Sequence, residues 1–261
     1  MSVQKSWGEL HTMARAARLV IETLDILEEA SVPGTTTLEL DRIAREAIEK
    51  AGARPAFLGY RGFPGTLCAS VNEEIVHGIP GSRELREGDI IGLDLGCILD
   101  GFFGDSARTV PVGRVSGDAS ELMNVTREAL HAGIEQCRPD KRVGDIGHAV
   151  QTHAESRGYT VVREFVGHGI GTNLHEEPQV PNYGPPGRRE RLVPGMCLAI
   201  EPMVNVGGPE VEVLADGWTA VTRDRRLSAH FEYAVAVTKH GPWILSEPYP
   251  YGQLEAEAVN A

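Results

Sequence analysis

The chain repeats itself, and the repeat limits what it can fold into. Thr37, Leu40, Ala44 and Gly52 lie at helical spacing, and Val143, Ile146, Val150 and Gly158 recur at the same spacing later on. The strand Gly88-Asp89-Ile90-Ile91-Gly92-Leu93-Asp94 recurs as Gly195-Met196-Cys197-Leu198-Ala199-Ile200-Glu201, with an acid closing each copy. His77-Gly78-Ile79 is echoed by His168-Gly169-Ile170, and the segment opened by Asp105 by the one opened by Glu232. Residue by residue the likeness is weak, so its weight lies in the order of the parts. Each half, roughly 35–115 and 140–240, offers a helix, a His-Gly-Ile, a strand acid and a second strand acid. Closed on each other within a single domain over residues 1–261, the halves bring four carboxylates into one cleft.

Local patterning fits this plan. Leu10, Met13, Ala14, Ala17, Val20, Ile21, Leu24 and Leu27 follow helical spacing from Trp7 to about Ala30, where Pro33-Gly34 stops it. Thr36 or Thr37 caps a second helix that reaches Lys50 and ends at Gly52. Asp89 to Leu99 and Phe102 to Val112 read as a hairpin around Asp100-Gly101. Helices are expected from Ala119 to Cys137 and from Val143 to Arg157, short strands from Thr160 to Thr238, and a loosely held tail from Pro248. Hydrophobic residues make up 41% of the chain, enough for a substantial core. The net charge of −12 disfavours a polyanionic partner, DNA included. No stretch approaches the ~20 apolar residues of a membrane span, and the first residues hold no apolar run of a secretory signal. Cys68, Cys97, Cys137 and Cys197 are scattered without a C-x-x-C pair, so free thiols in the cytoplasm are expected.

The acids carry the chemistry. Asp94 sits in the apolar strand IIGLDLG, where an ionised carboxylate is costly to bury unless paired or bound to a cation. With a two-residue turn at Asp100-Gly101, residue 94 faces residue 107, and Asp105 shares that face as a diagonal neighbour. Two carboxylates that close repel, and a bound dication removes the conflict. Either acid alone reads as a hydrogen-bonded core or turn residue; the pair on one face reads as a metal site. Glu201 in LAIEPMV and Glu232 in HFEYAVAV repeat the problem in the second half. His168 lies among glycines that permit close backbone approach, with His175 seven residues on. One imidazole and four carboxylates suit two Mn²⁺, Fe²⁺ or Co²⁺ ions better than a structural zinc, and four carboxylates neutralise two dications.

In order along the chain, GTLCASVNEEIVHGIP, IGLDLG, DGFFGDSARTV, GHGIGTNLHEEPQVPNYG, GMCLAIEPM and LSAHFEYAV resemble the signatures of the type I methionine aminopeptidases. The resemblance runs from about residue 7 to 245. It implies an α+β "pita-bread" fold, two pseudo-symmetric halves with antiparallel sheet around a dinuclear metal site. It implies that Asp105 and Glu232 bridge both ions, that Asp94 chelates one, and that His168 and Glu201 hold the other. The implied reaction removes the initiator methionine from nascent proteins whose second residue is small. Two ions lower the pKa of water, so a hydroxide is expected to attack the scissile peptide, with Glu201 as general base. The metals and a histidine are expected to stabilise the oxyanion. His175 is expected at the scissile amide and His77 near the substrate's N-terminal end. Tyr60, Phe63, Cys68, Leu174 and Trp218 are implied as walls of an apolar pocket one methionine deep, where aromatic faces and a thiol suit a thioether. Two positions depart from the pattern. Leu174 stands where the family commonly has an aromatic residue, and His230 where relatives commonly carry glutamine.

Other readings fit less well. Prolidase and aminopeptidase P share the fold but usually carry a long N-terminal domain, whereas His77 lies close to the start here. The type II branch carries a helical insert, for which Glu201 and Glu232 are too close in sequence. A metal-free binding module would lack at least one of the five ligand positions, and all five are present. The expected partners are nascent polypeptides, acted on by a monomer. The basic runs at 187–191 and 223–226 are ordinarily solvated loop charges. The hypothesis that one touches ribosomal RNA would be ended by unchanged ribosome co-sedimentation after Arg→Glu substitution.

Overall fold

The computed structural model describes residues 4–252. Ser6 opens helix α1 (Trp7–Ala30) with a capping box: its hydroxyl accepts from the Glu9 N–H, and the Glu9 carboxylate accepts from the Ser6 N–H. Thr36, rather than Thr37, caps α2 (Thr37–Lys50), accepting from the Glu39 N–H. Helix α3 (Gly117–Ile134) starts earlier than the apolar spacing suggested because Ser116 caps it. It also ends before Cys137, since the chain must leave helical geometry ahead of Pro139. Helix α4 (Val143–Glu155) stops two residues short of Arg157.

The strands, in chain order, are β1 (Arg54–Pro55), β2 (Leu67–Val71), β3 (Glu74–Val76), β4 (Ile90–Leu99), β5 (Phe102–Pro111), β6 (Thr160–Val161), β7 (Gly167–Gly169), β8 (Glu176–Val180), β9 (Cys197–Ile200), β10 (Met203–Asn205), β11 (Val211–Val213), β12 (Ala220–Thr222), β13 (Ser228–His230), β14 (Glu232–Val237) and β15 (Pro242–Ile244). The β4–β5 hairpin runs unbroken from Ile90 opposite Pro111 to Leu99 opposite Phe102. Its turn residues Asp100 and Gly101 both take positive φ, 50° and 83°, as a tight hairpin requires. The main antiparallel sheet runs β1-β4-β5-β14-β9-β7-β8, with β2 on β4 and β15 on β14. Its two halves meet where β14 pairs with β5. Two small three-stranded sheets, β13-β10-β6 and β11-β12-β3, flank it.

Alternation along the strands separates core from cleft. Ile91, Leu93 and Leu95 of β4 pack against Val20, Leu24 and Leu27 of α1 and Leu40, Ala44 and Ile48 of α2, which leaves Asp94 on the other face. In the second half Leu198 and Ile200 of β9 pack with Leu122 and Leu130 of α3 and Ile146 and Val150 of α4. The start of α1 crosses between the halves: Leu10, Met13, Ala14 and Ala17 join Ile170, Cys197, Ala234, Ala236 and Trp243. At that crossing a Cβ on Gly104 would stand 2.5 Å from the Ala16 carbonyl carbon, so β5 meets the helix backbone directly.

Residues 249–251 are held more firmly than their composition suggested. Tyr249 packs edge-on against Trp7 and Trp243, with ring centroids 4.9 and 5.1 Å apart, and the Tyr251 hydroxyl donates to the Pro242 carbonyl. Aromatic contact ties this segment down to residue 252; residues 253–261 of the tail lie outside the described ones. Among the described residues no helix is long and apolar enough to cross a membrane.

Candidate active site

Strand register lines up the acids. Cys68 on β2 pairs with Asp94 on β4, Asp94 with Ala107 on β5, and Ala107 with Glu232 on β14. Directly opposed residues share a face, so this row points into one cleft. Asp105 lies two residues before Ala107 on that same face. Glu201 follows Ile200, the partner of Tyr233, and so continues the row beyond Glu232. His168 on β7 pairs with Ala199, two residues from Glu201. The alanine in the middle of the row leaves space where the acids converge. Gly167 and Gly169 let β7 sit tightly between its neighbours: a Cβ on the first would lie 2.3 Å from the Ala199 oxygen, and on the second 2.4 Å from the Glu177 oxygen.

The cluster is buried and its oxygens lack protein partners. Asp105, His168 and Glu232 offer ligand atoms all within 4.8 Å of one another. His168 Nε2 stands 3.4 Å from Glu201 Oε1 and 3.9 Å from Asp105 Oδ2. His168 Nδ1 donates to the Gly169 carbonyl at 2.9 Å, which leaves the Nε2 lone pair facing the acids. Burial, and then His175, push the His168 pKa down to about 4, so the ring is neutral. Burial raises Asp94 to about 7. Burial first, and neighbouring acids second, hold Asp105, Glu201 and Glu232 well above the usual carboxyl range. Asp94 Oδ1, Asp105 Oδ1 and Glu232 Oε1 are shut off from solvent with no hydrogen-bond partner. Buried carboxylate oxygens are rarely left so. Three orphaned oxygens around one space, with a lone imidazole nitrogen beside them, fit divalent cations that prefer hard donors.

Every residue expected as ligand, catalytic group or pocket wall borders this one cleft: the five above, His77, His175, Tyr60, Phe63, Cys68, Leu174 and Trp218; His230 lies behind it. Phe63 and Trp218 meet edge to face at 5.2 Å, and Leu174 and Cys68 pack with them. Leu174 is buried in this wall. The Tyr60 hydroxyl is 2.8 Å from His175 Nδ1, and the His175 ring lies 4.2 Å from that of His168. Burial, and then the Arg61 charge, lower the His175 pKa. His77 takes a left-handed backbone, φ 62°, and its ring stands edge-on to Phe165 and Trp218. Burial, and then His175, push His77 down to about 4. Phe57 and Arg61 also border the cleft and were not foreseen. The signal for Arg61 was its place between Gly59 and Gly62 in FLGYRGFPG, a turn in which all three residues have positive φ.

His230 is 3% exposed. Its Nε2 is buried without a partner, 3.9 Å from Glu201 Oε2. Thr109 pins its backbone, donating from Oγ1 to the His230 carbonyl at 3.0 Å and accepting from its N–H at 2.9 Å. Burial, and then His77, depress the His230 pKa to about 3.

Residues 11–239 match metallopeptidase family M24. The chain is 52% identical over 246 residues to methionine aminopeptidase 1 of Bacillus subtilis, covering 94% of this chain and 99% of that one. The crystal structure of methionine aminopeptidase from Rickettsia prowazekii superposes with a TM-score of 0.93 at 40% identity, over 95% of this chain and 100% of that one. Prolidase from Pyrococcus horikoshii superposes with a TM-score of 0.78 at 20% identity, over 96% of this chain and 65% of that one, a likeness of fold alone. On sequence and structure together, the chain belongs to metallopeptidase family M24, on its methionine aminopeptidase branch.

Proposed function

We propose that the protein removes the initiator methionine from nascent polypeptides whose second residue is small. One observation carries this reading: the unsatisfied acids lie in the same cleft as an apolar wall of Tyr60, Phe63, Cys68, Leu174 and Trp218. The wall takes a methionine side chain through dispersion and sulfur–aromatic contact, which sets the following peptide bond over the acids. Asp94, Asp105, His168, Glu201 and Glu232 would together hold two divalent ions. Mn²⁺, Fe²⁺ and Co²⁺ suit this donor set. Bound there, such ions supply Lewis acidity that lowers the pKa of water and polarises the scissile carbonyl.

The chain's own groups do the rest. Glu201 accepts a proton from the attacking water and returns it to the leaving amine. Tyr60 donates to His175 Nδ1, so the His175 proton sits on Nε2 and is offered to the scissile amide oxygen. His77, held neutral, stands by the substrate's N-terminal end. Acting on chains as they emerge, the enzyme would work in the cytoplasm, as a monomer. The arginines at 188, 189 and 191 and at 223, 225 and 226 are exposed, as solvated loop charges ordinarily are, and contact of one of these runs with ribosomal RNA is a hypothesis only.

Metal-stripped protein restored with Mn²⁺, Fe²⁺ or Co²⁺ in turn, and given Met-Ala-Ser and Ala-Pro-Ser, tests the reading by the amino acid released. The expected result is methionine released only with metal, the proline peptide untouched, and an inactive Glu201→Ala variant. Cleavage of the proline peptide instead, or of neither peptide with any metal, would sink it.

A further inference from the structure

We infer that His230 is a positioning residue for Glu201: its imidazole donates Nε2–H to Glu201 Oε2 and so presents Oε1 to the metal centre. The two oxygens of Glu201 are bracketed by two rings. Oε1 lies 3.4 Å from His168 Nε2, and Oε2 lies 3.9 Å from His230 Nε2. The His230 nitrogen is cut off from solvent and has no other partner. A buried polar nitrogen in that state is rare in folded proteins, and the carboxylate oxygen facing it is Glu201 Oε2. The gap to Oε2 exceeds a normal hydrogen bond of ~3.0 Å by less than an ångström.

The backbone on which the ring stands is fixed from two sides. Thr109 bonds both the N–H and the carbonyl of His230, and β13 holds His230 opposite Met203 on β10. The backbone is thus fixed and the ring itself is buried, with its Nε2 turned toward Glu201. It stands across the Glu201 carboxylate from His168, each ring facing a different oxygen. Its service to the centre is therefore through Glu201. With Oε2 occupied by an N–H, Glu201 meets an ion through one oxygen instead of chelating it with two.

The inference rests on Glu201 belonging to the metal centre, so the test reads metal binding and the ring tautomer as well as turnover. Metal-stripped wild type, His230→Gln and His230→Leu are titrated with Mn²⁺ by calorimetry. Leucine is expected to weaken the first Mn²⁺ by about tenfold or more, and glutamine, an amide donor, to stay within about threefold of wild type. With Mn²⁺ restored, leucine is expected to lower kcat on Met-Ala-Ser by about 10- to 100-fold and leave KM within about threefold. Unchanged Mn²⁺ affinity in the leucine variant, or a glutamine variant no better than leucine, overturns the inference. If leucine prevents folding, ¹⁵N-histidine spectra of the unmutated protein decide, the His230 signals being those lost in His230→Gln. A protonated, pyrrole-type Nε2 both before and after Zn²⁺ addition upholds it; an Nε2 that loses its proton to the ion overturns it in favour of direct ligation. Wild type that shows these metal and tautomer effects yet releases no methionine leaves the His230 assignment standing and fails the proposed function.

Discussion

Ala107 owes its importance to what it lacks. It stands between Asp94 and Glu232 in the register, on the face where the acids converge, and its single methyl group leaves that space open. Ala107→Leu would place three more heavy atoms there, while the strand around it stays paired. The expected result is a folded protein whose Mn²⁺ affinity falls by roughly 100-fold, comparable to losing a supporting contact of the site; retained affinity in calorimetry would show that the ions lie elsewhere. At this scale the sequence is most legible where a residue is out of place. Asp94 in IIGLDLG announces itself because an apolar strand has no use for a carboxylate. Phe57 announces nothing, and Arg61 only a glycine-flanked turn: a phenylalanine in a loop and an exposed arginine in a turn have many ordinary roles, and only the folded cleft selects them. His230 read as a departure from a pattern, but its tie to Glu201 is a spatial fact.

Strand β7 shows how an element can be built around one side chain. Its three residues are a histidine between two glycines, and each glycine touches a carbonyl of a neighbouring strand or loop more closely than any Cβ could. Gly169→Ala is expected to push β7 away from Glu177, destabilise the fold by about 2 kcal/mol, and weaken metal binding through displaced His168. Thermal melts with and without Mn²⁺ check this; a variant that melts like wild type and binds Mn²⁺ equally well would refute the tight-fit account. Elements were readable in proportion to how local their causes are. The β4–β5 hairpin followed from alternation and an Asp-Gly turn, and its register came out as residue 94 opposite 107. The α3 boundaries shifted because a cap at Ser116 and a proline at 139 outweighed apolar spacing. The segment after Pro248 looked unheld because its partners, Trp7 and Trp243, are remote in sequence or reached only through a turn.

For the whole molecule the acid cluster is an electrostatic burden that a cation relieves. An acid whose folded pKa is raised holds its proton better when folded. Its contribution to stability is therefore full below the ordinary carboxyl value near 3.8 and lost as pH rises through the folded value, about 7 for Asp94. The buried histidines act oppositely: His77, His168 and His230 stay neutral in the fold below the ordinary 6.5, so they cost stability as pH falls from there. Between pH 6.5 and 8 the unfolded histidines lose the last of their charge, and the four raised acids outweigh them. The metal-stripped protein is expected to lose several degrees of Tm across that window, with little net change just below it. Saturating Mn²⁺ is expected to abolish the loss and add about 2–4 kcal/mol at 100 to 1,000 times the Kd. A stripped protein that grows more stable as pH rises from 6.5 to 8 would contradict the raised acids. The sequence by itself determined which acids stand in apolar strands, the face shared by Asp94 and Asp105, and the twofold order of parts. Those follow from local causes, namely strand alternation, turn chemistry and the cost of burying charge. Only the tertiary structure decided that β14 pairs with β5 and so sets Glu232 against Ala107 and Asp94. It alone decided that Lys5 reaches Glu176 at 2.6 Å beside the His175 turn, and that His230 faces Glu201. These contacts join segments far apart in the chain, and no residue carries in its own neighbourhood the information about which distant strand will lie beside it.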